Sequence, residues 1–303
     1  MTIKSEYMKK HSMKEWLVAV RPWSFPASTM PVIVTLGYLA WSGADVSWPM
    51  GLWALLNIVL FHAAGNTWSD YFDYRSGVDA ADTFGVRQLV DGHFTAREFF
   101  WLATGLLLVA LLGGVGLLLL VGWPLLWVGL GGALFTLAYP FLKYRAWGDA
   151  VIFVTYAILP MLGTSYAATG EWHGQVLWAA IPVGLITVAI LHANNTRDIQ
   201  TDRRAGIRTL AMLLGGKASV LLYCFEILFP FLWIVVCACT GLFPWWSVLI
   251  LPAFIPALNN VRTAYSFHSE GAVGIARLDE LTAKLQMVFS LLLALSFLLA
   301  TAW

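Results

Sequence analysis

Charged side chains are scarce in this sequence: only 12% of its 303 residues are Asp, Glu, Lys or Arg, whereas 59% are hydrophobic. A soluble domain typically has about 25% charged residues, so the composition argues against a soluble protein. Cysteine is scarce too, and Cys224, Cys237 and Cys239 lack C-x-x-C spacing. Neither a zinc site nor a disulfide framework is therefore expected. The polar, basic start of the chain does not resemble a cleaved signal peptide either.

Long apolar runs dominate the rest of the chain, and each is close to the length of about 20 residues that spans a bilayer as a helix. The runs cover residues 24–41, 49–69, 99–121, 123–142, 150–169, 176–195, 218–240, 245–261 and 285–302. The sequence therefore predicts an all-α, polytopic membrane protein of about nine transmembrane helices. We expect one integral-membrane domain over residues 1–303, with residues 1–20 as a cytoplasmic tail.

The basic residues support this layout. All 18 Lys and Arg fall in the N-terminal tail or in the loops after predicted spans two, four, six and eight. Cytoplasmic loops carry an excess of Lys and Arg, so the pattern predicts a cytoplasmic N-terminus and basic loops on the cytoplasmic side. Because topology already explains these charges, we expect the lipid bilayer as a partner and not nucleic acid.

Two acidic motifs end apolar runs on this side. Asn66, Asp70 and Asp73 have helical spacing, and Asp198 and Asp202 would share one face if the sixth helix continued through them. Acidic residues within or at the edge of a membrane are rare, and they mark functional sites more often than they serve structure alone. Mg²⁺ is commonly held by one or two carboxylates together with substrate phosphates. The two motifs therefore predict a Mg²⁺ site and a diphosphate substrate.

Basic and aromatic residues near the motifs could contact phosphate oxygens that the metal leaves free. The alternative is that the acids cap helices and the bases only orient the protein in the membrane. His62 and His192 are expected to be hydrogen-bonded interior histidines. Glu226 is an isolated acid in an apolar run, with no partner evident from the sequence.

The segments Asn66 to Asp79, NTWSDYFDYRSGVD, and Asn194 to Leu210, NNTRDIQTDRRAGIRTL, together resemble the UbiA superfamily of intramembrane aromatic prenyltransferases. The second segment is most similar to the 1,4-dihydroxy-2-naphthoate polyprenyltransferases of menaquinone synthesis. Arg21-Pro22 before the first span, the loop from Tyr139 to Asp149 and the nine-span layout agree with this. The resemblance thus covers nearly the whole chain.

This resemblance implies a helical bundle around a central cavity that opens sideways to lipid and is capped by the motif loops. It implies that Asp70, Asp73, Asp198 and Asp202 are catalytic and bind Mg²⁺. Substrate contacts are expected from a polar set: Asn66, Arg75, Arg87, Tyr139, Lys143, Arg145, Asn195 and Arg208.

The implied enzyme transfers a polyprenyl group, an alkyl group other than methyl, from polyprenyl diphosphate to an aromatic acceptor. The expected acceptor is 1,4-dihydroxy-2-naphthoate, which would lose carbon dioxide. The expected location is the inner (cytoplasmic) cell membrane, with the active site facing the cytoplasm.

Other functions remain open at this point. The same chemistry could use another acceptor, such as 4-hydroxybenzoate. A secondary transporter would have its acids at the membrane midplane in broken helices, not beside basic loops. A CDP-alcohol phosphotransferase would need a D-G-x-x-A-R signature, which is missing between Asp70 and Arg87.

Overall fold

A computed structural model of the chain describes residues 11–81, 83–84 and 87–302. Every regular element in these ranges is helical, which confirms the all-α prediction. The α-helices are α1 (Met13–Ala19), α2 (Pro26–Trp41), α3 (Trp48–Arg75), α4 (Ala96–Val121), α5 (Leu125–Lys143), α6 (Gly148–Phe153), α7 (Leu159–Thr169), α8 (Leu177–Arg197), α9 (Ile199–Arg204), α10 (Leu210–Leu214), α11 (Gly216–Cys239), α12 (Phe254–Tyr265), α13 (Phe267–Glu270) and α14 (Leu278–Thr301).

Within the described part of the chain, seven helices are long and apolar enough to cross a membrane. They are α3, α4, α5, the continuous segment α6–α7, α8 with its preceding turn, α11 and α14. Of the other two predicted spans, α2 has 16 residues, and the second is a 3₁₀ helix, Trp245–Ala253, followed by α12. The multi-pass architecture is thus confirmed, whereas the full count of nine and the orientation stay predictions.

The interior of the bundle lies mainly among α2, α8, α11 and α14, whose buried side chains form one apolar cluster. By contrast, α4 turns large apolar residues such as Leu112 and Leu119 outward. Such an exposed apolar surface is expected where a helix contacts lipid. Between α6 and α7, the segment Val154–Ile158 forms a π-helical turn. Such turns occur frequently at functional sites, and this one borders the cavity described below.

The predicted cytoplasmic tail is partly helical. Helix α1 starts at a capping box formed by Ser12 and Glu15. Its Ala19 is buried in a small apolar cluster with Phe94 and Phe99, from the end of the loop after α3 and the start of α4. Residues 1–10 of the predicted tail lie outside the described residues. Residues 13–19 thus form a helix that packs on this loop and on α4.

Close packing of α8 on α6 requires a glycine. A methyl group on Gly184 would lie 2.6 Å from a Phe153 ring carbon and 2.7 Å from the Ala157 Cβ. We expect Gly184→Ala to lower the free energy of unfolding by about 1–3 kcal/mol, because overpacking displaces these neighbours. Gly105→Ala is the matched control, since nothing lies within 4 Å of the added methyl there. Thermal unfolding in detergent measures both, and equal melting temperatures would contradict the close packing.

Candidate active site

A cavity of about 720 Å³ lies in the bundle among α2, α3, α5, α6–α7 and α8. Along α3 its wall extends from Ala54 to Asp73, a length of about 28 Å at 1.5 Å per helical residue. The part of α3 before His62 contributes apolar residues such as Ile58 and Phe61, and α4 and α5 contribute Leu117 and Leu126. The cavity is therefore apolar over much of its length.

Charged residues line the end of the cavity where both predicted motifs meet. Among the described lining residues, seven are acidic and three are basic. The acids are Asp70, Asp73, Asp79, Asp198, Asp202, Asp279 and Glu280, and the bases are Arg21, Lys143 and Arg197. With all of them ionised, this end carries a net charge of −4, from three positive and seven negative groups.

The first motif lies on one face of α3, as its spacing predicts. Asp70 and Asp73 are both buried, at 7% exposure. Asp70 accepts a bond of 2.5 Å from the Arg21 guanidinium. Asp73 accepts bonds of 2.6 Å from Lys143 Nζ and 2.6 Å from the Tyr144 hydroxyl. Each carboxylate thus faces a positively charged side chain, and that side chain could turn to contact an anionic ligand.

The second motif differs from the expected continuous helix. Helix α8 ends at Arg197, and Asp198 forms the junction with α9. The Asp202 N–H still donates to the Asp198 carbonyl at 2.8 Å, so the two residues remain one turn apart. Asp198 is held by Arg197 through two bonds of 2.8 Å each. The break leaves both carboxylates on the cavity wall.

Two carboxylates outside the spanning helices, those of Asp202 and Asp79, are buried close to other acids, and both effects raise their pKa. Burial raises the pKa of Asp202 to about 7, and the charge of Asp198 adds to the effect. Burial, followed by the charge of Asp73, raises the pKa of Asp79 to about 6. A divalent cation between them would favour the ionised forms of both.

The donor set fits Mg²⁺. The ligands available at this end are carboxylate oxygens from α3, from the loop after it and from the α8–α9 junction. Hard oxygen donors of this kind suit Mg²⁺, which also keeps water and phosphate ligands. Cysteine is absent among the described lining residues, and thiolates are the ligands that would favour a softer metal.

Half of the eight predicted substrate contacts line the cavity, and the other four, all arginines, do not. Asn66, Tyr139, Lys143 and Asn195 are on its wall, whereas Arg75, Arg87, Arg145 and Arg208 are not. Arg145 and Arg208 are exposed, and the segments that carry them pair through their backbones in a short parallel bridge. Arg75 is exposed at the end of α3, and Arg87 contacts Ala81 and Asp91 instead.

Two of the three cavity cations, Arg21 and Arg197, were absent from the predicted contact set. Arg21 has a left-handed backbone, with φ of 56°. For a residue other than glycine this conformation is strained, and such strain is common at functional sites. The feature of the sequence that could have indicated its role is its position directly before Pro22 at a membrane boundary. Arg197 is buried at 7% exposure, and its burial could not be read from the motif.

The histidine beside the cavity is a hydrogen-bonded interior residue, as expected. His62 Nδ1 lies 2.8 Å from the Ser28 hydroxyl, and Nε2 lies 3.2 Å from the Ser24 hydroxyl. Ser24 also accepts a bond of 3.0 Å from the Asn66 amide. Ser24 therefore links His62 and Asn66, so these bonds hold the first motif against the turn before α2.

Comparison with known proteins agrees with this geometry. The family model described as "UbiA prenyltransferase family" matches residues 30–270. The chain is 36% identical over 229 residues to "UbiA prenyltransferase domain-containing protein 1 homolog" of Drosophila melanogaster, covering 72% of this chain and 63% of that protein. It is 32% identical over 298 residues to "UbiA prenyltransferase domain-containing protein 1" of Homo sapiens, covering 95% and 84%. The chain thus spans slightly less than two thirds of the Drosophila protein.

A solved structure described as a UbiA homolog from Archaeoglobus fulgidus bound to GPP and Mg²⁺ is similar, with a TM-score of 0.62. Sequence identity is 14%, and the match covers 95% of this chain and 100% of that one. At this identity the similarity establishes a shared fold.

Proposed function

Since the chain belongs to the UbiA prenyltransferase family, we propose that it uses Mg²⁺ to transfer a polyprenyl group from polyprenyl diphosphate to an aromatic acceptor. The chain is a multi-pass membrane prenyltransferase. The observation that carries the proposal is the strongly acidic end of an otherwise apolar cavity. With all of its groups ionised this end carries a net charge of −4, which would repel a diphosphate unless divalent cations lay between the two groups of anions.

We assign the Mg²⁺ ligands to Asp70, Asp73, Asp198 and Asp202. When bound, Mg²⁺ neutralises negative charge that develops on the departing diphosphate. Lys143, Arg21 and Arg197 line the same end and are the groups that would contact the remaining phosphate oxygens. Fixed positive charge directed at a developing anion is typically the largest single contribution to catalysis.

The apolar length of the cavity would hold the isoprenoid chain. Its wall has the aliphatic and aromatic character that such a chain requires. Exclusion of water also protects the allylic cation from hydrolysis and keeps it near the acceptor. In the transfer, the carbon–oxygen bond to diphosphate breaks and a carbon–carbon bond forms to the acceptor ring.

For the acceptor we propose 1,4-dihydroxy-2-naphthoate, on the resemblance carried by the Asn194 to Leu210 segment. The ring carbon that carries the carboxylate would attack, and carbon dioxide would leave with the electrons of its bond restoring the ring. This would place the enzyme in menaquinone synthesis. The charge pattern of the loops supports a site that faces the cytoplasm of an inner membrane. Transfer to 4-hydroxybenzoate is the second candidate, because it needs the same diphosphate chemistry.

The test is a detergent assay of purified protein with Mg²⁺ and a long-chain prenyl diphosphate. Each acceptor is supplied separately and the products are identified by mass. We expect a decarboxylated prenyl naphthoquinol from dihydroxynaphthoate, and its loss on addition of EDTA. Product from 4-hydroxybenzoate alone would keep the reaction and change the acceptor. No EDTA-sensitive product from either would contradict the proposed reaction with these acceptors.

A further inference from the structure

A buried polar cluster lies beside the cavity, between α6, α8 and α11. Its members are Asp149, His192 and Glu226, which are exposed by only 6%, 0% and 3%. One possible metal-ligating atom from each lies within 4.8 Å of those of the other two. Buried ionisable groups within a membrane bundle are costly and usually mark a function. None of the three residues lines the cavity itself.

Hydrogen bonds connect two members of the cluster to each other and to neighbouring polar residues. His192 Nδ1 lies 2.7 Å from Asp149 Oδ2, and His192 Nε2 lies 2.9 Å from the Ser219 hydroxyl. The second oxygen of Asp149 accepts a bond of 3.3 Å from the Asn195 amide nitrogen. Both oxygens of Asp149 and both nitrogens of His192 are therefore engaged. The arrangement is that of an orienting network and not of a metal centre, whose ligands would have to break these bonds first.

Asn195 is the member of this network that reaches the cavity. It lies on α8, three residues before Asp198, so the two residues are neighbours on adjacent turns. A primary amide offers donors on its nitrogen and an acceptor on its oxygen. Because the nitrogen is bound to Asp149, the acceptor oxygen is the group left for the cavity.

We propose that Asp149, held by His192, is a positioning residue that fixes the Asn195 amide so that its oxygen serves the Mg²⁺ site of the second motif. This inference rests on the proposed function. A freely rotating amide would offer its nitrogen to the cation part of the time, and a nitrogen donor would repel it. An amide held in one orientation always presents its oxygen, so the metal affinity is not reduced in this way. Residues that orient metal ligands generally act like this.

The direct test is Asp149→Asn. His192 and Asn195 bond to different oxygens of Asp149. An asparagine at this position keeps an acceptor oxygen at only one of these two places and puts a donor NH₂ group at the other. We expect the apparent Kd for Mn²⁺, used as a paramagnetic substitute for Mg²⁺ and measured by EPR in detergent, to rise about tenfold. Loss of such an orienting partner typically costs about 10–100-fold in metal affinity. The Mg²⁺ concentration for half-maximal transfer should rise in parallel. A Mn²⁺ Kd within twofold of the wild type would overturn the proposal.

A pair of His192 variants separates orientation from simple loss of packing. The Nδ2 atom of an asparagine at position 192 would stand close to where the histidine Nδ1 stands, so His192→Asn can still donate to Asp149. His192→Phe cannot. We expect the Mn²⁺ Kd of His192→Asn to stay within threefold of wild type and that of His192→Phe to rise about tenfold. Equal affinities in the two variants would contradict the role of the His192 bond. If Asp149→Asn does not fold, this comparison decides the proposal.

Glu226→Gln is the matched control, since it changes a buried carboxyl of the same cluster that forms no hydrogen bond to Asn195 or Asp149 among the described residues. Its Mn²⁺ affinity should equal that of the wild type. A tenfold loss there would show that disturbing the cluster in any way weakens the site, which would overturn the specific role of Asp149. Failure of the wild type to bind Mn²⁺ would instead contradict the proposed metal site itself.

Discussion

Replacing Asp70 or Asp198 by asparagine is expected to lower kcat/KM for prenyl transfer by at least about 100-fold, because each change removes one negative ligand of the proposed Mg²⁺ site. The two residues come from different parts of the bundle, helix α3 and the α8–α9 junction. Loss of activity in both would therefore show that the two motifs act on one substrate. The assay is the detergent reaction with the preferred acceptor at saturating prenyl diphosphate.

Asp91→Asn controls for these variants. Asp91 is exposed, pairs with Arg87 at 3.4 Å and does not line the cavity. We expect its activity to equal that of the wild type. All three proteins should be compared by thermal unfolding, so that a folding defect is not mistaken for a catalytic one. Folded Asp70→Asn or Asp198→Asn protein with wild-type activity would exclude that carboxylate from the metal site.

The second large effect is expected for Lys143→Gln. Lys143 is the one predicted basic contact that lies on the cavity wall, where its ammonium is 2.6 Å from Asp73 and 3.3 Å from the Ser69 hydroxyl. Removing a positive charge that stabilises the departing diphosphate should cost about 100-fold to 1,000-fold in kcat. Steady-state kinetics with varied prenyl diphosphate measures the effect. A rise in KM with unchanged kcat would show that Lys143 binds the substrate and the transition state equally, which would contradict the expected role.

Two further glutamine variants make this result specific. Lys217→Gln removes an exposed charge at the start of α11, outside the cavity wall, and should leave the kinetics unchanged. Arg75→Gln tests whether a predicted substrate contact that lies outside the cavity wall takes part in the reaction. We expect its kcat/KM to stay within about threefold of wild type, as for an exposed charge. A loss equal to that of Lys143→Gln would return Arg75 to the substrate site.

Much of the site could be predicted because its signals are local. Apolar runs of spanning length identify helices, since a helix satisfies its own backbone hydrogen bonds in lipid. The spacing of Asn66, Asp70 and Asp73 follows from 3.6 residues per turn, and the structure places all three on the cavity wall. The donor chemistry of the carboxylates then indicates a hard cation. None of these steps requires knowledge of which helices are neighbours.

The sequence by itself therefore determined the all-helical membrane architecture and the positions of the two motifs, and it predicted the kind of ion and substrate that we propose for them. Only the tertiary structure decided which cations face them. Arg21 reaches Asp70 across 49 positions of sequence, and Asp149 reaches Asn195 across 46. Arg145 and Arg208 are exposed where two loops pair through their backbones. Contacts of this kind depend on helix packing and loop geometry, whereas helical periodicity is set by neighbouring residues along one chain segment.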